Sequence, residues 1–166
     1  MKTTVLFKAV AVIALMVAGV MNSDVKAQSQ FVTNEVMNGE QVASKTIFKK
    51  DGAYLYRHIK YDYTYDNNNR LTGKTAYKWN GLKEAWDPYF KLTYQYSEKE
   101  ITSYYARWNA DRRAYDASEK SVYELNDANI PVAYNTYKRG SNEKSDWTLV
   151  SHKVLNNDAE LFATAD

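Results

Sequence analysis

Six aromatic side chains recur along the middle of the chain as three bracketing pairs. The pairs are Trp79 and Trp86, Trp108 and Tyr115, and Tyr137 and Trp147. The first two pairs each enclose six residues, and the third encloses nine. Each pair is expected to face across its hairpin as a cross-strand pair. Flat rings that are spaced along a surface can stack on sugar faces or receive the side chains of a protein partner. We therefore take these six residues as the candidate ligand-binding site. The alternative is cross-strand packing, a role that repeats commonly give to such positions.

Pairs of carboxylates are the one enzymatic option that the sequence offers. Glycoside hydrolysis needs two acids that flank the scissile bond, one of them with a raised pKa. Neighbouring acids occur in three places: Asp62 and Asp66; Glu98 and Glu100; and Asp111, Asp116 and Glu119. Acids at turns and strand edges ordinarily keep a β-sheet soluble, and no motif marks one of these as a general acid. We therefore expect a protein that is not an enzyme.

Other catalytic and metal chemistry lacks the residues that it needs. The chain has no Cys, and its only histidines, His58 and His152, do not have the spacing of metal ligands. It contains no Gly-x-Ser-x-Gly elbow and no phosphate-binding glycine loop. Asp66-Asn67-Asn68-Asn69 is similar to the start of a calcium loop, but Arg70 and Leu71 stand where a ligand and a glycine are required. We expect no catalytic residue, no metal and no cofactor.

The segment 1–27 has the layout of a secretory signal peptide. Lys2 and Lys8 precede the apolar run 9–21, which is too short to span a membrane. Val25 and Ala27 then place small residues before a cut at Gln28. We expect an exported protein, periplasmic or extracellular, that keeps no stable membrane span once the signal is removed. An uncleaved membrane anchor is the alternative.

Removal of the signal also changes the charge of the protein. The whole chain carries 22 Lys and Arg against 20 Asp and Glu, whereas residues 28–166 carry 19 of each. A neutral domain gives little reason to expect nucleic acid as a partner. Its net charge suits a neutral glycan or another envelope protein.

The composition and alternation of the mature chain predict an all-β protein. Fifteen Tyr and four Trp supply apolar area in residue types that favour strands. The pattern repeats every second residue in Tyr61, Tyr63 and Tyr65 and again in Leu92, Tyr94 and Tyr96. Helical spacing is weak and confined to the end of the chain, where residues 157–166 form a tail with a possible short helix.

A hairpin-sized repeat organises the strands. The segment 44–52 matches the segment 73–81 at an offset of 29, and the same offset relates Trp79 to Trp108 and Trp108 to Tyr137. Each unit contains two runs of strand length separated by turns rich in Asn, Asp and Gly, such as 66–69 and 80–81. Each unit is therefore predicted to be one antiparallel hairpin.

Stacked hairpins predict an up-and-down antiparallel meander of about nine strands over residues 28–156. The expected spans are 31–37, 41–49, 54–66, 70–79, 86–97, 100–109, 114–125, 130–138 and 146–155. We expect a curved open sheet, and a closed barrel is the alternative. Open edges would allow a homodimer by edge pairing.

One segment resembles a known repeat. Tyr65-Asp66-Asn67-Asn68-Asn69-Arg70-Leu71-Thr72 is similar to the tyrosine–aspartate repeat of secreted bacterial β-structures, Tyr-Asp-x-x-Gly-Arg-Leu, with Asn69 at the Gly position. As a whole, the exported, cysteine-free, Tyr- and Trp-rich chain resembles the small secreted domains of unknown function of Bacteroides-type bacteria. This resemblance implies an uncharacterised extracytoplasmic protein and supplies no catalytic residues.

Three functional hypotheses follow from the sequence. The first is a non-enzymatic binding or interaction module, with glycan binding through the aromatic row. The second is a purely structural envelope or extracellular protein without a small-molecule ligand. The third is a glycoside hydrolase that uses a carboxylate pair. Exposure of the six rings is the feature that separates the first two.

Overall fold

The computed structural model describes residues 30–140 and 146–155, and these residues contain nine β-strands. The strands are β1 (Phe31–Asn38), β2 (Gln41–Asp51), β3 (Tyr54–Tyr65), β4 (Leu71–Asn80), β5 (Ala85–Tyr96), β6 (Glu100–Asn109), β7 (Ala114–Leu125), β8 (Pro131–Arg139) and β9 (Trp147–Val154). All nine predicted strands are confirmed, and their ends lie within two residues of the expected positions. The predicted signal peptide, 1–27, and the predicted tail, 157–166, lie outside the described residues.

The strands form one sheet in the order of the chain, from β1 to β9. This order is the up-and-down meander that stacked hairpins predict. Because β1 and β9 stand at the two ends of the order, the described strands form an open sheet, and the barrel alternative is wrong. No described helix is both long and apolar enough to cross a membrane.

The chain divides into two compact units, with the boundary between Phe90 and Lys91 inside β5. The first unit holds β1–β4 and the start of β5, and the second holds the end of β5 and β6–β9. Each unit is described by itself below.

The core of the first unit consists of a few small and aliphatic residues. Ile59 and Leu71 are buried, and Ala76 has no exposed surface. Ala76 lies opposite Tyr61 on β3, and the Lys74 ammonium lies 4.0 Å from the centre of the Tyr61 ring. Burial, together with the charge of Lys45, lowers the pKa of Lys74. The lysine stem therefore contributes to packing as well as to charge.

The core of the second unit relies on tyrosine. Tyr94 and Tyr123 are 6% and 3% exposed, and the ring centroids of Tyr123 and Tyr134 are 4.6 Å apart. Burial raises the pKa of Tyr94 to about 12. The hydroxyls of Tyr134 and Ser121 are hydrogen-bonded at 3.1 Å, so the polar end of a half-buried ring finds a partner. Tyrosine therefore supplies the apolar area that the small number of aliphatic residues does not.

Two turns at equivalent places use the same side-chain hydrogen bonds. Asp66 Oδ1 accepts from the backbone N–H groups of Asn68 and Arg70, each at 2.9 Å. In the later turn, Asn126 Oδ1 accepts from the N–H groups of residues 128 and 130, each at 3.0 Å. Asn69 and Asn129 both have a φ of 60°, a value that Asn tolerates better than most residues. The segment similar to a calcium loop is therefore a hydrogen-bonded turn, as the sequence predicts.

Candidate functional site

The loop that follows β4 is closed by a side-chain hydrogen bond. Asn80 Nδ2 donates to Asp87 Oδ2 at 2.7 Å, and Asn80 Oδ1 accepts from the backbone N–H groups of Leu82 and Lys83. The Lys83 ammonium lies 3.2 Å from Asp87 Oδ1, and Glu84 has a φ of 51°. Two hydrogen bonds lower the pKa of Asp87. The one from Asn80 has the larger effect, and the one from Lys83 comes second. We call the Asn80–Asp87 contact an Asn–Asp bridge.

The loop that follows β6 repeats this arrangement one period later in the chain. Asn109 Nδ2 donates to Asp116 Oδ2 at 2.9 Å, and Asn109 Oδ1 accepts from the N–H groups of Asp111 and Arg112. Arg112 forms an ion pair with Asp116, and Arg113 has a φ of 50°. Sequence reasoning missed this bridge. Its signal is the spacing Trp-Asn-x-x-Lys/Arg-x-Ala-aromatic-Asp, which both loops share.

Each Asn–Asp bridge lies next to one of the predicted aromatic pairs. The ring centroids of Trp79 and Trp86 are 5.1 Å apart at an interplanar angle of 69°, and those of Trp108 and Tyr115 are 5.0 Å apart at 66°. Trp108 lies directly opposite Tyr115 in the β6–β7 ladder. Both pairs therefore pack edge to face. All four rings are half-buried, so they are neither core residues nor a fully exposed coplanar row.

The third predicted pair does not face across its hairpin. Trp147 lies opposite Arg139, and Tyr137 lies opposite Leu149. The prediction was wrong because β8 continues for two residues beyond Tyr137 before the loop begins.

The ladder register nevertheless places the four predicted residues of the second unit on one face. The register aligns one residue from each of the strands β6–β9 in a row across the sheet. In order, these residues are Tyr104, Lys120, Tyr137 and Leu149. Side chains that are two or four residues apart along one strand lie on the same face of the sheet. The aromatic face of the second unit therefore comprises Tyr104, Trp108, Tyr115, Tyr137 and Trp147, all half-buried. Trp79 and Trp86 belong to the first unit.

The aromatic face curves inward, as a contact between rings on distant strands indicates. The ring centroids of Tyr104 on β6 and Trp147 on β9 are 6.1 Å apart, although their strands are separated by three steps in the sheet order. Two cations lie among these rings. The Lys120 ammonium is 4.2 Å from the centre of the Tyr137 ring, and the Arg139 guanidinium is 4.4 Å from that of Trp147. Sequence reasoning missed Tyr104, Lys120 and Arg139.

Three acids of the predicted carboxylate pairs, Asp62, Asp66 and Asp116, are engaged in local contacts. Asp62 forms an ion pair with Lys60, and Asp66 forms one with Arg70. Burial by itself would raise the pKa of Asp66. The backbone and side-chain hydrogen bonds from Arg70 act in the opposite direction and have the larger combined effect, so the pKa is lowered. Two hydrogen bonds lower the pKa of Asp116. The one from Arg112 has the larger effect, and the one from Asn109 comes second. A general acid needs the opposite shift.

The remaining candidate groups have structural contacts. His58 packs against Phe31 with ring centroids 5.5 Å apart, and His152 Nδ1 lies 2.6 Å from Asn135 Oδ1. The described ranges contain no cluster of three or more metal-ligating side chains. In the first unit, a shallow pocket of about 510 Å³ lies beside Trp79 and is lined in part by Leu82 and Tyr89. The Arg57 guanidinium lies 4.7 Å from the centre of the Trp79 ring.

The fold and these loops define an antiparallel meander protein with aromatic residues held beside Asn–Asp bridges. The match of residues 1–125 to one family model makes the family plain: the chain belongs to the family of unknown function DUF3836. A family of unknown function gives no activity that could be assigned to this chain. No match is found among curated proteins.

Three solved structures are similar to this chain. A protein with unknown function from Bacteroides fragilis NCTC 9343 has a TM-score of 0.70 and 27% identity, over 76% of this chain and 92% of that one. A DUF3836 family protein from Bacteroides vulgatus ATCC 8482 has a TM-score of 0.52 and 34% identity, over 53% and 90%. A third, from Parabacteroides distasonis ATCC 8503, shares 21% identity with a TM-score of 0.50, over 60% and 92%, and shows likeness in fold alone.

Proposed function

We propose that this protein is an exported, non-enzymatic binding module that binds carbohydrate on the aromatic face of its second unit. The observation that carries the proposal is the placement of five half-buried rings on one concave face. A ring that keeps part of its surface exposed still has area to stack on a sugar.

The concave shape also suits an extended ligand. A single ring contact with a sugar is weak, so useful affinity requires several rings to engage one chain. The spread of rings from β6 to β9 offers such a series within one unit. The Trp79–Trp86 pair is built in the same way beside the shallow pocket of the first unit, where it offers a separate contact.

Export rests on the sequence of the segment 1–27. The basic start, the short apolar run and the small residues before Gln28 support a cleaved signal. We expect the mature protein to begin at Gln28. Mass spectrometry of the protein recovered from the extracytoplasmic fraction tests this, and an intact Met1 would argue for an anchor instead.

Two neighbouring tyrosines provide a matched test of the binding proposal. Tyr104 and Tyr105 are adjacent on β6, are both half-buried and lie on opposite faces of the sheet. We expect the exported protein to bind members of a glycan array. Tyr104→Ala should weaken binding about tenfold, which corresponds to about 1.4 kcal/mol. Tyr105→Ala should leave binding within about twofold of the wild type.

The structural alternative makes a different prediction for the same variants. If the rings only pack the sheet, the folded protein binds no glycan on the array. Binding that survives Tyr104→Ala in a protein with unchanged circular dichroism would place the site elsewhere. Equal losses in the two variants would point to a general loss of structure, and the aromatic face would then be rejected as the site.

A further inference from the structure

We infer that the aromatic face of the second unit selects polysaccharides that carry anionic groups, either carboxylate or sulfate. This inference rests on the proposed function and names its ligand class. The sequence suggested a neutral glycan because the mature chain has equal numbers of cationic and acidic residues. Net charge averages over the whole chain, whereas a ligand meets only the charges on one face.

Two cations lie on this face, and both are half-buried. The Lys120 ammonium lies 4.2 Å from the Tyr137 ring centroid and 5.7 Å from that of Trp147. Arg139 approaches the same Trp147 ring to 4.4 Å. A ligand that stacks on these rings would therefore place its substituents beside two positive charges.

Within the described part of the second unit, the two cations have no carboxylate partner. Among residues 30–140 and 146–155, the ion pairs include neither Lys120 nor Arg139. Asp116 and Asp127 form ion pairs with Arg112 and Lys99 instead. A positive charge placed among rings without a carboxylate is available to an anion.

Arg139 carries the most specific evidence. Its Nε is buried, and within the described part of the chain it has no hydrogen-bond acceptor. A buried N–H group without an acceptor is rare in folded proteins, because it gives up its bond to water without replacement. The side chain as a whole is half-buried, so a ligand on this face would meet the terminal N–H groups of the guanidinium and not Nε. Such groups bind carboxylate or sulfate oxygens, so an anionic sugar substituent is a ligand of fitting chemistry.

Lys74 provides a matched control for Lys120. Both are half-buried lysines whose ammonium lies over a tyrosine ring, at 4.0 Å for Lys74 over Tyr61 and 4.2 Å for Lys120 over Tyr137. Lys74 belongs to the first unit, whereas the aromatic face consists of residues of the second. Substituting either lysine with glutamine removes the charge and keeps most of the stem.

The experiment measures the binding of three polysaccharides to the mature protein by isothermal titration calorimetry. Polygalacturonate supplies carboxylates, its fully methyl-esterified form supplies the same backbone without charge, and dextran sulfate supplies sulfates. We expect the protein to bind one or both anionic polymers at least about tenfold more tightly than the ester. Lys120→Gln and Arg139→Gln should each reduce that binding about tenfold, and Lys74→Gln should not.

The outcomes separate this inference from the proposed function. If the protein binds polygalacturonate and its methyl ester equally tightly, and Tyr104→Ala abolishes both, the anion preference is overturned and carbohydrate binding on this face stands. Binding of none of the three polymers, together with an empty glycan array, would reject both. Equal losses in Lys74→Gln and Lys120→Gln would show that the charge effect is not local and would overturn the inference. Thermal unfolding of each variant confirms that it is folded.

Discussion

Tyr104 and Trp147 bring their ring centroids to 6.1 Å although β6 and β9 are three steps apart in the sheet. Strands in a flat sheet would hold these positions about 14 Å apart. The second unit must therefore curve toward this face, and its last strand is held by side chains as well as by backbone hydrogen bonds to β8. Sheet twist makes such curvature natural, and the large rings fill the space it encloses.

Trp147 should therefore stabilise the second unit more than its neighbours on β9 do. We expect Trp147→Ala to lower the free energy of unfolding by about 2 kcal/mol, less than for a fully buried Trp because this ring is half-buried. Leu149→Ala, on the same strand and face, should cost less than about 1 kcal/mol because Leu149 is 51% exposed. Urea denaturation measures both, and equal losses would contradict the role of the Tyr104 contact.

Much of the fold could be predicted because its signals are local. Alternation along each run identifies a strand, and the Asn, Asp and Gly clusters at 66–69 and 80–81 identify the reversals. Each strand pairs with the next strand along the chain, so the sheet order follows directly from the order of the strands. The error at Tyr137 has a similarly local origin. The offset of 29 aligns it with Trp108, but β8 extends to Arg139 and changes the register.

The candidate site was less predictable because its members come together across strands. Lys120 lies beside Tyr104 and Tyr137 only once the β6–β7 and β7–β8 registers are known. The Trp147 contact with Tyr104 depends further on curvature, which no residue spacing reveals. The Asn–Asp bridges are different, since Asn80 and Asp87 recur as Asn109 and Asp116. Both residues recur at the offset of 29, so the bridges have a signal in the sequence itself.

The bridge at Asn109 should stabilise its hairpin. Asn109→Ala removes the hydrogen bond to Asp116 and the acceptor for two backbone N–H groups, so we expect a loss of about 1–2 kcal/mol in the free energy of unfolding. Asp111→Ala is the control, because Asp111 contributes only its backbone N–H to this network. Guanidinium denaturation of both variants checks the difference. A larger loss in the control would mean that the loop is held by other contacts.

The same loop should make the protein sensitive to acid. The Arg112 hydrogen bond, followed by that of Asn109, lowers the pKa of Asp116 in the folded state. A lowered folded pKa means that the carboxylate stabilises the fold fully above its unfolded pKa of about 3.9 and loses this contribution as the pH falls through the folded value. We expect Asp116→Asn to be less stable at pH 7 and to show a weaker fall in stability below about pH 4.

An NMR titration of the Asp116 carboxyl group tests the cause directly. Arg112→Gln removes the leading partner and should raise the pKa of Asp116. Arg113→Gln removes a charge from the neighbouring residue and should leave that pKa nearly unchanged. If the two variants shift the titration equally, the general charge of the loop, and not the Arg112 contact, sets the pKa.

Substitutions at Asn69 test whether backbone conformation or side-chain contacts determine the stability of the turn at this left-handed position. Its φ of 60° is strained for a β-branched residue, whereas glycine adopts it freely. We expect Asn69→Val to lower the free energy of unfolding by about 1–2 kcal/mol. Asn69→Gly should stay within about 0.5 kcal/mol of the wild type, because the hydrogen bond it gives up, from Gln41 Nε2 at 2.9 Å, is exposed.

The neighbouring residue supplies the control for this substitution. Asn68 is exposed and contributes its backbone N–H to Asp66 Oδ1, a bond that a valine would keep. Asn68→Val should therefore cost less than Asn69→Val in the same urea titration, even though both add the same side chain to the turn. If Asn69→Gly is instead as destabilising as Asn69→Val, the Gln41 contact matters more than the backbone conformation. Asn129, which has the same φ of 60°, should respond to Gly and Val in the same order as Asn69.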